Sequence, residues 1–161
     1  TEARGDVVVF LDADGSHDPA DIPRLLAPIL RGEADHVTGS RLLGGSSELH
    51  GGFDEFLRLA GSAFITACIN WKFGVLLSDS QNGFRAIRRE TLLALGLRSD
   101  STTIEQEMIG RTLTLGARMA EVPAHEHARK AGESHVDPVR DAPRYLWSLL
   151  RDVIFASRPR P

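Results

Sequence analysis

The chain of 161 residues is 42% hydrophobic and 25% charged with a formal net charge of -3, the composition of a globular domain with one substantial core. That charge, spread without any block of one sign, excludes a general attraction to nucleic acid. Cys68 is the only cysteine, which excludes an internal disulfide and a cysteine-rich zinc site and favours a reducing, cytoplasmic setting.

The chain opens on Thr1-Glu-Ala-Arg, without an initiator methionine or targeting segment. Val7 to Leu11 is an unbroken apolar run, which predicts a strand covered on both faces in a parallel sheet. A strand so central needs neighbours that the remaining chain supplies poorly, so N-terminal sequence is expected to be missing. Asp12, Asp14 and Asp18 follow at the strand's carboxyl end. In an open α/β sheet that edge is where ligands bind, and two acids one residue apart there suit a divalent cation and a phosphorylated ligand. Asp18-Pro-Ala-Asp21 has the signature of a helix start, with Asp18 as N-cap and Pro19 at the first helical position. Asp18 is therefore read as a cap and not as a metal ligand. Ile22, Leu25, Leu26, Ile29 and Leu30 follow at helical spacing, with Pro28 bending the helix before Gly32.

Ala34 to Arg41 reads as a short strand leaving the sheet at Gly39, and Leu42 to Glu48 as a mobile surface loop. Arg41, at the strand's end, has the planar fork that clamps phosphate, although surface arginines are common. Phe53 to Phe73 predicts a long helix whose apolar stripe is Phe56, Leu57, Ala60, Phe64, Ala67 and Cys68. Asn70, Lys72 and Gly74 argue against a membrane span and for a helix lying on the core, with one face open to a membrane interface. Asn82-Gly83 is a turn signal before a strand from Phe84 to Ile87, which leaves Asp79 and Arg85 as the chemical candidates of that stretch.

A helix around Ile104 to Leu115 carries Glu105 and Glu107 about 200° apart, so only one of them can face a given site and the other is a solvated charge. Ala117 to Val122 is a strand. His125 and His127 have no third ligand near enough for zinc. Near the C-terminus Leu146, Leu149, Leu150, Val153 and Ile154 repeat at helical spacing among aromatic and basic residues. Docking on a membrane surface and packing on the core both fit that pattern.

Six motifs stand in a fixed order: Asp12-Ala-Asp14, Gly39-Ser40-Arg41, Asp79-x-x-Asn82-Gly83-Phe84-Arg85, Glu107-Met108-Ile109, Glu121-Val122-Pro123 and Arg129-x-x-Gly132-Glu133-Ser134. Together they resemble the dolichol-phosphate mannosyltransferase branch of the family 2 glycosyltransferases, over the stretch from the Asp-x-Asp strand to about Val136. The resemblance implies an α/β fold, a GT-A type α/β/α sandwich with a mostly parallel sheet. Residues 1–138 would be the C-terminal part of that domain, and 139–161 an amphipathic helix. It implies Mg²⁺ or Mn²⁺, a nucleotide-diphosphate sugar, a polyprenyl phosphate acceptor, peripheral membrane association at the cytoplasmic face, and inversion at the transferred sugar.

Carried over residue by residue, the resemblance makes Asp12, Asp14 and Ser16 metal ligands, with Asp12, Asp14 and Arg41 binding the donor. Arg85, Arg129, Ser134 and His135 would hold the acceptor phosphate, and Asp14, Arg85 and Glu107 the catalytic centre. Two positions depart from the family: Ser16 stands where relatives often carry Gln, and His135 where they often carry Lys. Two rival readings stand beside this one. The Asp12-x-Asp14 strand also imitates the nucleophile motif of haloacid dehalogenase-like phosphatases, which lacks here its supporting lysine and acidic pair. A glycosyltransferase-like module that binds without turnover is the other.

Overall fold

A computed structural model of the chain describes residues 2–47, 53–130 and 137–156. Strands β1 (Val7–Phe10), β2 (His36–Ser40), β3 (Arg85–Arg88) and β4 (Met119–Pro123) form one sheet in the order β1-β3-β2-β4. β2 and β4 are parallel, and β3 runs antiparallel to both β1 and β2. Thus β1, β2 and β4 share a direction, and their carboxyl ends form one edge. Helices α1 (Ile22–Leu30), α2 (Arg41–Gly44), α3 (Phe53–Phe73), α4 (Arg89–Leu95), α5 (Ile104–Thr114) and α6 (Pro138–Leu149) surround the sheet, and a π-helical turn, Leu150–Ile154, extends α6.

Alternation along the strands divides the core. Val37 and Ala86 pack with Leu25 and Ile29 of α1 on one face, while Ile87 turns to Leu92, Leu95 and Met108 of α4 and α5 on the other. A third cluster joins Ile65 and Ile69 of α3, Ile109 and Leu113 of α5, and Leu149 and Val153 at the C-terminal end. The C-terminal helix therefore packs on the core. Gly110 makes this possible, because a Cβ there would stand 2.4 Å from the Asp152 carbonyl oxygen.

Several expectations are corrected. Among the described residues β1 is half-buried and pairs antiparallel with β3, although it shares its direction with β2 and β4. β2 does not leave the sheet at Gly39, since Gly39 and Ser40 still pair with Val122 and Pro123. The stretch read as a loop begins with a helical turn, α2, whose N-cap is the Ser40 hydroxyl accepting from Leu43 N at 3.2 Å.

α3 has the expected bounds and the opposite orientation. Phe56 and Phe64 of the predicted buried stripe are 65% and 55% exposed, while Ile65, Thr66 and Ile69 face inward. Asn70 is explained by the turn after α3: its side chain donates to Leu77 O at 2.8 Å and accepts from Leu77 N at 2.9 Å. Among the described residues no helix is long and apolar enough to cross a membrane.

Candidate active site

At the carboxyl end of β1 the chain turns sharply, and Asp14 Oδ1 accepts from Ser16 N at 2.9 Å. Residues 127–130 lie along this turn through backbone bonds from His127 N to Ser16 O, 2.8 Å, and from Lys130 N to Asp14 O, 2.9 Å. Arg129 Nε is 3.4 Å from Asp14 Oδ2. The fold thus brings Arg129 to Asp12 and Asp14, which lie far before it in sequence. A cleft of about 480 Å³ opens between the two segments, lined by Asp12, Gly15, His17, His127 and Lys130.

The Asp12 side chain is 57% exposed, and His17 Nε2 lies 3.6 Å from its Oδ2. The His17 contact is the largest influence holding the Asp12 carboxyl below its ordinary value, with partial burial opposing it. For Asp14, burial pushes upward most strongly, but the Ser16 hydrogen bonds and the Arg129 charge together leave it lowered as well. Both carboxylates are therefore ionised at neutral pH. Gly83 closes the other side of Asp12: a Cβ there would stand 2.8 Å from Oδ2. A side chain at that position would crowd the Asp12 carboxylate as it stands. Asn82 supplies turn chemistry as expected, its Oδ1 accepting from Phe84 N at 3.0 Å in an Asx turn, and its amide also donates to Gly39 O at 2.8 Å.

A second network stands at the same sheet edge. Arg41 Nε and Nη2 donate to the two Asp79 oxygens at 2.7 and 3.0 Å, and Nη1 reaches Glu126 at 3.5 Å. Glu121 Oε2 accepts from Ser78 N at 2.7 Å and its Oε1 from Asp79 N at 2.8 Å, so β4 holds the Asp79 loop. Burial pushes the Asp79 carboxyl up, and the Arg41 hydrogen bonds and charge outweigh it and leave it lowered. Arg41 is thus a joint between carboxylates and not the free fork expected of a phosphate clamp.

Three further expected positions are revised. Arg85 is 1% exposed, with Nη1 donating to Glu105 O at 3.2 Å and Nη2 to Asn82 O. β3 pairs it with Phe10, and its charge is coupled most strongly to Glu105 and then to Asp79 and Asp12. Its guanidinium is therefore buried and offers no exposed fork to the cleft. Glu107, 0% exposed, accepts from Ser99 N at 2.7 Å and pairs with Arg111 at 2.7 Å, which makes it a structural anchor. Glu105 is the acid nearer the site, its carboxyl raised by burial against the pull of Arg85, and neither glutamate is a solvated charge. Ser16 is 3% exposed and its hydroxyl supports Asp14, so it is not an open ligand position. Ser134 and His135 lie outside the described residues.

Among the described residues no three His, Cys, Asp or Glu side chains form a preformed cage for a metal. The His125 ring nitrogens are taken by Gly44 O at 3.0 Å and the Ser47 hydroxyl at 2.8 Å. Two ionised aspartates beside an open cleft fit a hard divalent cation that draws its other oxygens from water and from a ligand's phosphates.

The sequence pattern of Glycosyl transferase family 2 matches residues 1–95. The chain belongs to that family. Over 133 residues it is 37% identical to an undecaprenyl-phosphate mannosyltransferase of Micrococcus luteus, covering 80% of this chain and 52% of the relative. It is 32% identical over 131 residues to the polyprenol monophosphomannose synthase of Mycolicibacterium smegmatis, covering 80% and 48%. Among solved structures, glucosyl-3-phosphoglycerate synthase from Mycobacterium tuberculosis, in complex with Mn²⁺ and uridine-diphosphate-glucose, superposes with a TM-score of 0.65 at 22% identity. That match covers 96% of this chain and 51% of the other. The chain spans about half the length of the curated relatives it matches. The fold is of GT-A type, and membership of the glycosyltransferase family displaces the phosphatase reading of Asp12.

Sequence reasoning missed His17, Lys130 and the structural part of Glu121, left Glu105 undecided beside Glu107, and weighed His127 only for zinc. Glu121 and Lys130 stand inside recognised motifs, but nothing in the spacing ties either to the residues it touches.

Proposed function

We propose that the family 2 domain to which this chain belongs moves a hexose from a nucleotide-diphosphate sugar to a polyprenyl phosphate. One observation carries the reading: the Asp12 and Asp14 turn and the Arg129 segment are bonded backbone to backbone across one cleft. A donor's diphosphate and an acceptor's phosphate would meet there. The relatives that act on undecaprenyl and polyprenol phosphates supply the acceptor class, and the Mn²⁺ and nucleotide sugar of the solved neighbour support the donor class. Residues 1–138 would form the catalytic part.

Asp12 and Asp14 would hold Mg²⁺ or Mn²⁺, which when bound neutralises the charge developing on the departing diphosphate. Arg129 would orient the acceptor phosphate, with Ser134 and His135 on the same loop. That phosphate is already anionic, so positioning matters more than a strong general base. Its oxygen would bond to the anomeric carbon as the carbon's bond to the diphosphate oxygen breaks, a single displacement that inverts the centre. Arg85 would bias the cleft electrostatically from its buried position, and Arg41 would keep the Asp79 loop in place without touching the donor.

The outward faces of two helices support a reading of membrane docking. Phe53, Phe56, Phe64 and Trp71 of α3 are 75%, 65%, 55% and 74% exposed, and at about 100° per residue they share one side. Leu146, Trp147 and Val139 of α6 are exposed too, at 51%, 65% and 72%. Such a face suits a bilayer interface, where a lipid phosphate is presented.

The test is nucleoside diphosphate release by the full-length protein, screened over nucleotide sugars with and without polyprenyl phosphate and with Mn²⁺, Mg²⁺ or EDTA. Release that needs both the lipid phosphate and a divalent cation is expected. Nucleotide-sugar binding without turnover on any polyprenyl phosphate would favour the non-catalytic module instead. For docking, Phe56→Asp with Phe64→Asp should lower sedimentation with vesicles, and unchanged sedimentation would refute that face.

A further inference from the structure

We infer that His17 is a positioning residue that sets the Asp12 carboxylate for its cation, an inference that rests on reading Asp12 as a ligand of the donor's metal. The His17 side chain is 2% exposed although Asp12, five positions earlier in the chain, is 57% exposed. Its ring stacks on Phe84 with centroids 5.0 Å apart and planes inclined by 14°. Phe84 is itself 1% exposed in the core under α1, and its backbone is fixed at both ends: its N–H donates to Asn82 Oδ1 at 3.0 Å, and its carbonyl accepts from Gly39 N at 2.8 Å. The imidazole therefore cannot turn freely, and its Nε2 is aimed at Asp12 Oδ2 from 3.6 Å.

Gly83 bounds the same carboxylate on another side, since a Cβ there would fall 2.8 Å from Oδ2. Asp12 thus stands between a stacked ring and a bare backbone, both belonging to or resting on the Asn82-Gly83-Phe84 segment. An exposed aspartate without such support would sample several rotamers, and a small divalent cation demands near-ideal ligand geometry. Nδ1 of His17 is buried with no partner among the described residues, so the tautomer that carries its proton on Nε2, facing Asp12, leaves no buried N–H unsatisfied. A purely structural histidine would have no reason to direct its other nitrogen at an exposed carboxylate of the cleft.

The test is Mn²⁺ binding by the full-length protein in the presence of a nucleoside diphosphate, read by the electron paramagnetic resonance of free Mn²⁺. Unfolding midpoints in EDTA are measured alongside. His17→Phe keeps the ring on Phe84 and removes the donor, while His17→Gln keeps an N–H donor near the Nε2 position. Loss of an outer-shell partner weakens metal sites by about 10- to 100-fold, so His17→Phe should raise the Mn²⁺ dissociation constant roughly tenfold. His17→Gln should recover most of that loss, with both midpoints in EDTA close to wild type. Wild-type Mn²⁺ affinity in His17→Phe, or a Gln variant as weak as the Phe variant, would overturn the inference. If His17→Phe does not fold, Phe84→Leu releases the imidazole from its stack. It should weaken Mn²⁺ roughly threefold on the same scale, and wild-type affinity there counts against positioning. Asp12→Ala separates the two levels. Normal Mn²⁺ affinity in that variant would remove the metal reading and the positioning with it, whereas lost affinity in Asp12→Ala beside an unaffected His17→Phe would sink only the positioning.

Discussion

Asp12 and Asp79 stand at the same edge of one sheet in opposite states. The Asp12 side chain is 57% exposed with an imidazole at 3.6 Å, whereas Asp79 is 2% exposed and takes two guanidinium hydrogen bonds from Arg41 at 2.7 and 3.0 Å. Around Asp79 each charge has a partner in the chain: Arg41 bridges to Glu126, and Glu121 caps the backbone of the loop. Asp12 instead faces a cleft, and beside it Asp14 stands 3.4 Å from Arg129. A closed network of this kind holds the loop that carries Gly83 and Phe84, and the open one is where we propose that a cation binds. Both would look alike in sequence, as acids near strand ends.

The largest effect should come from breaking the closed network. Asp79→Ala leaves Arg41 without its bidentate partner and frees the Glu121-capped loop. Removing one partner of a buried pair costs about 3–5 kcal/mol. Arg41 is 25% exposed, so a value near the lower end is expected. Urea unfolding measures it, and a loss under about 1 kcal/mol would show that the network is ornamental.

Asp14→Ala is the counterpart in the open cluster. It should weaken Mn²⁺-dependent nucleotide binding roughly a hundredfold, about 2.7 kcal/mol of binding. The fold should lose only about 1 kcal/mol, the worth of the hydrogen bond to Ser16 N. Titration of nucleotide into the variant with Mn²⁺ checks the first figure and urea unfolding the second. A variant that unfolds as readily as Asp79→Ala would erase the contrast between the clusters.

His36 sharpens the contrast from a third position, as a buried titratable group with no opposite charge. It is 0% exposed, Nδ1 lies 2.9 Å from the Thr112 hydroxyl, and burial, aided by the Arg85 charge, holds its pKa well below the ordinary histidine range. The folded form therefore stays neutral while the unfolded chain takes up a proton near pH 6.5. Stability should be level above that pH and fall as pH drops through it. From pH 7.5 to 5.5 the loss attributable to His36 is about 1.4 kcal/mol. Asp79, whose pKa is lowered, contributes nothing in that window, because its stabilisation is lost only as pH falls below the ordinary aspartate range. Urea unfolding at the two pH values, with His36→Gln lacking most of the slope, checks the assignment.

Local features were legible in the sequence because their physics is local. The Asp18-Pro19 start and the bounds of α3 could be read from neighbouring residues alone. The buried face of α3 could not, because apolar side chains surround much of that helix: Phe56, Phe64 and Ile69 are all plausible core residues until α5 and α6 choose Ile65 and Ile69. In the site, Asp12, Asp14 and Arg129 were found through motif order, while the commitments of Arg41, Arg85 and Glu107 were invisible. Each depends on partners fixed by packing, such as Ser78 and Asp79 meeting Glu121 across 43 and 42 positions. Motifs name residues that belong together and leave open which of them face the ligand and which hold the frame.

The smallest effect tests where the open cluster ends. Asp18 follows Asp14 by four positions and also borders the cleft, so a reading by charge alone would count it as a third ligand. Its Oδ1 instead accepts from Ala20 N at 2.9 Å, and its backbone is extended as an N-cap requires, with φ -89° and ψ 119°. Replacing such a cap by alanine costs about 1 kcal/mol of stability. Asp18→Ala should therefore lower the urea midpoint slightly and leave Mn²⁺-dependent nucleotide binding intact, the inverse of Asp14→Ala. Equal loss of nucleotide binding in the two variants would extend the cation site to Asp18, and the division drawn between ligand and frame would have to move with it.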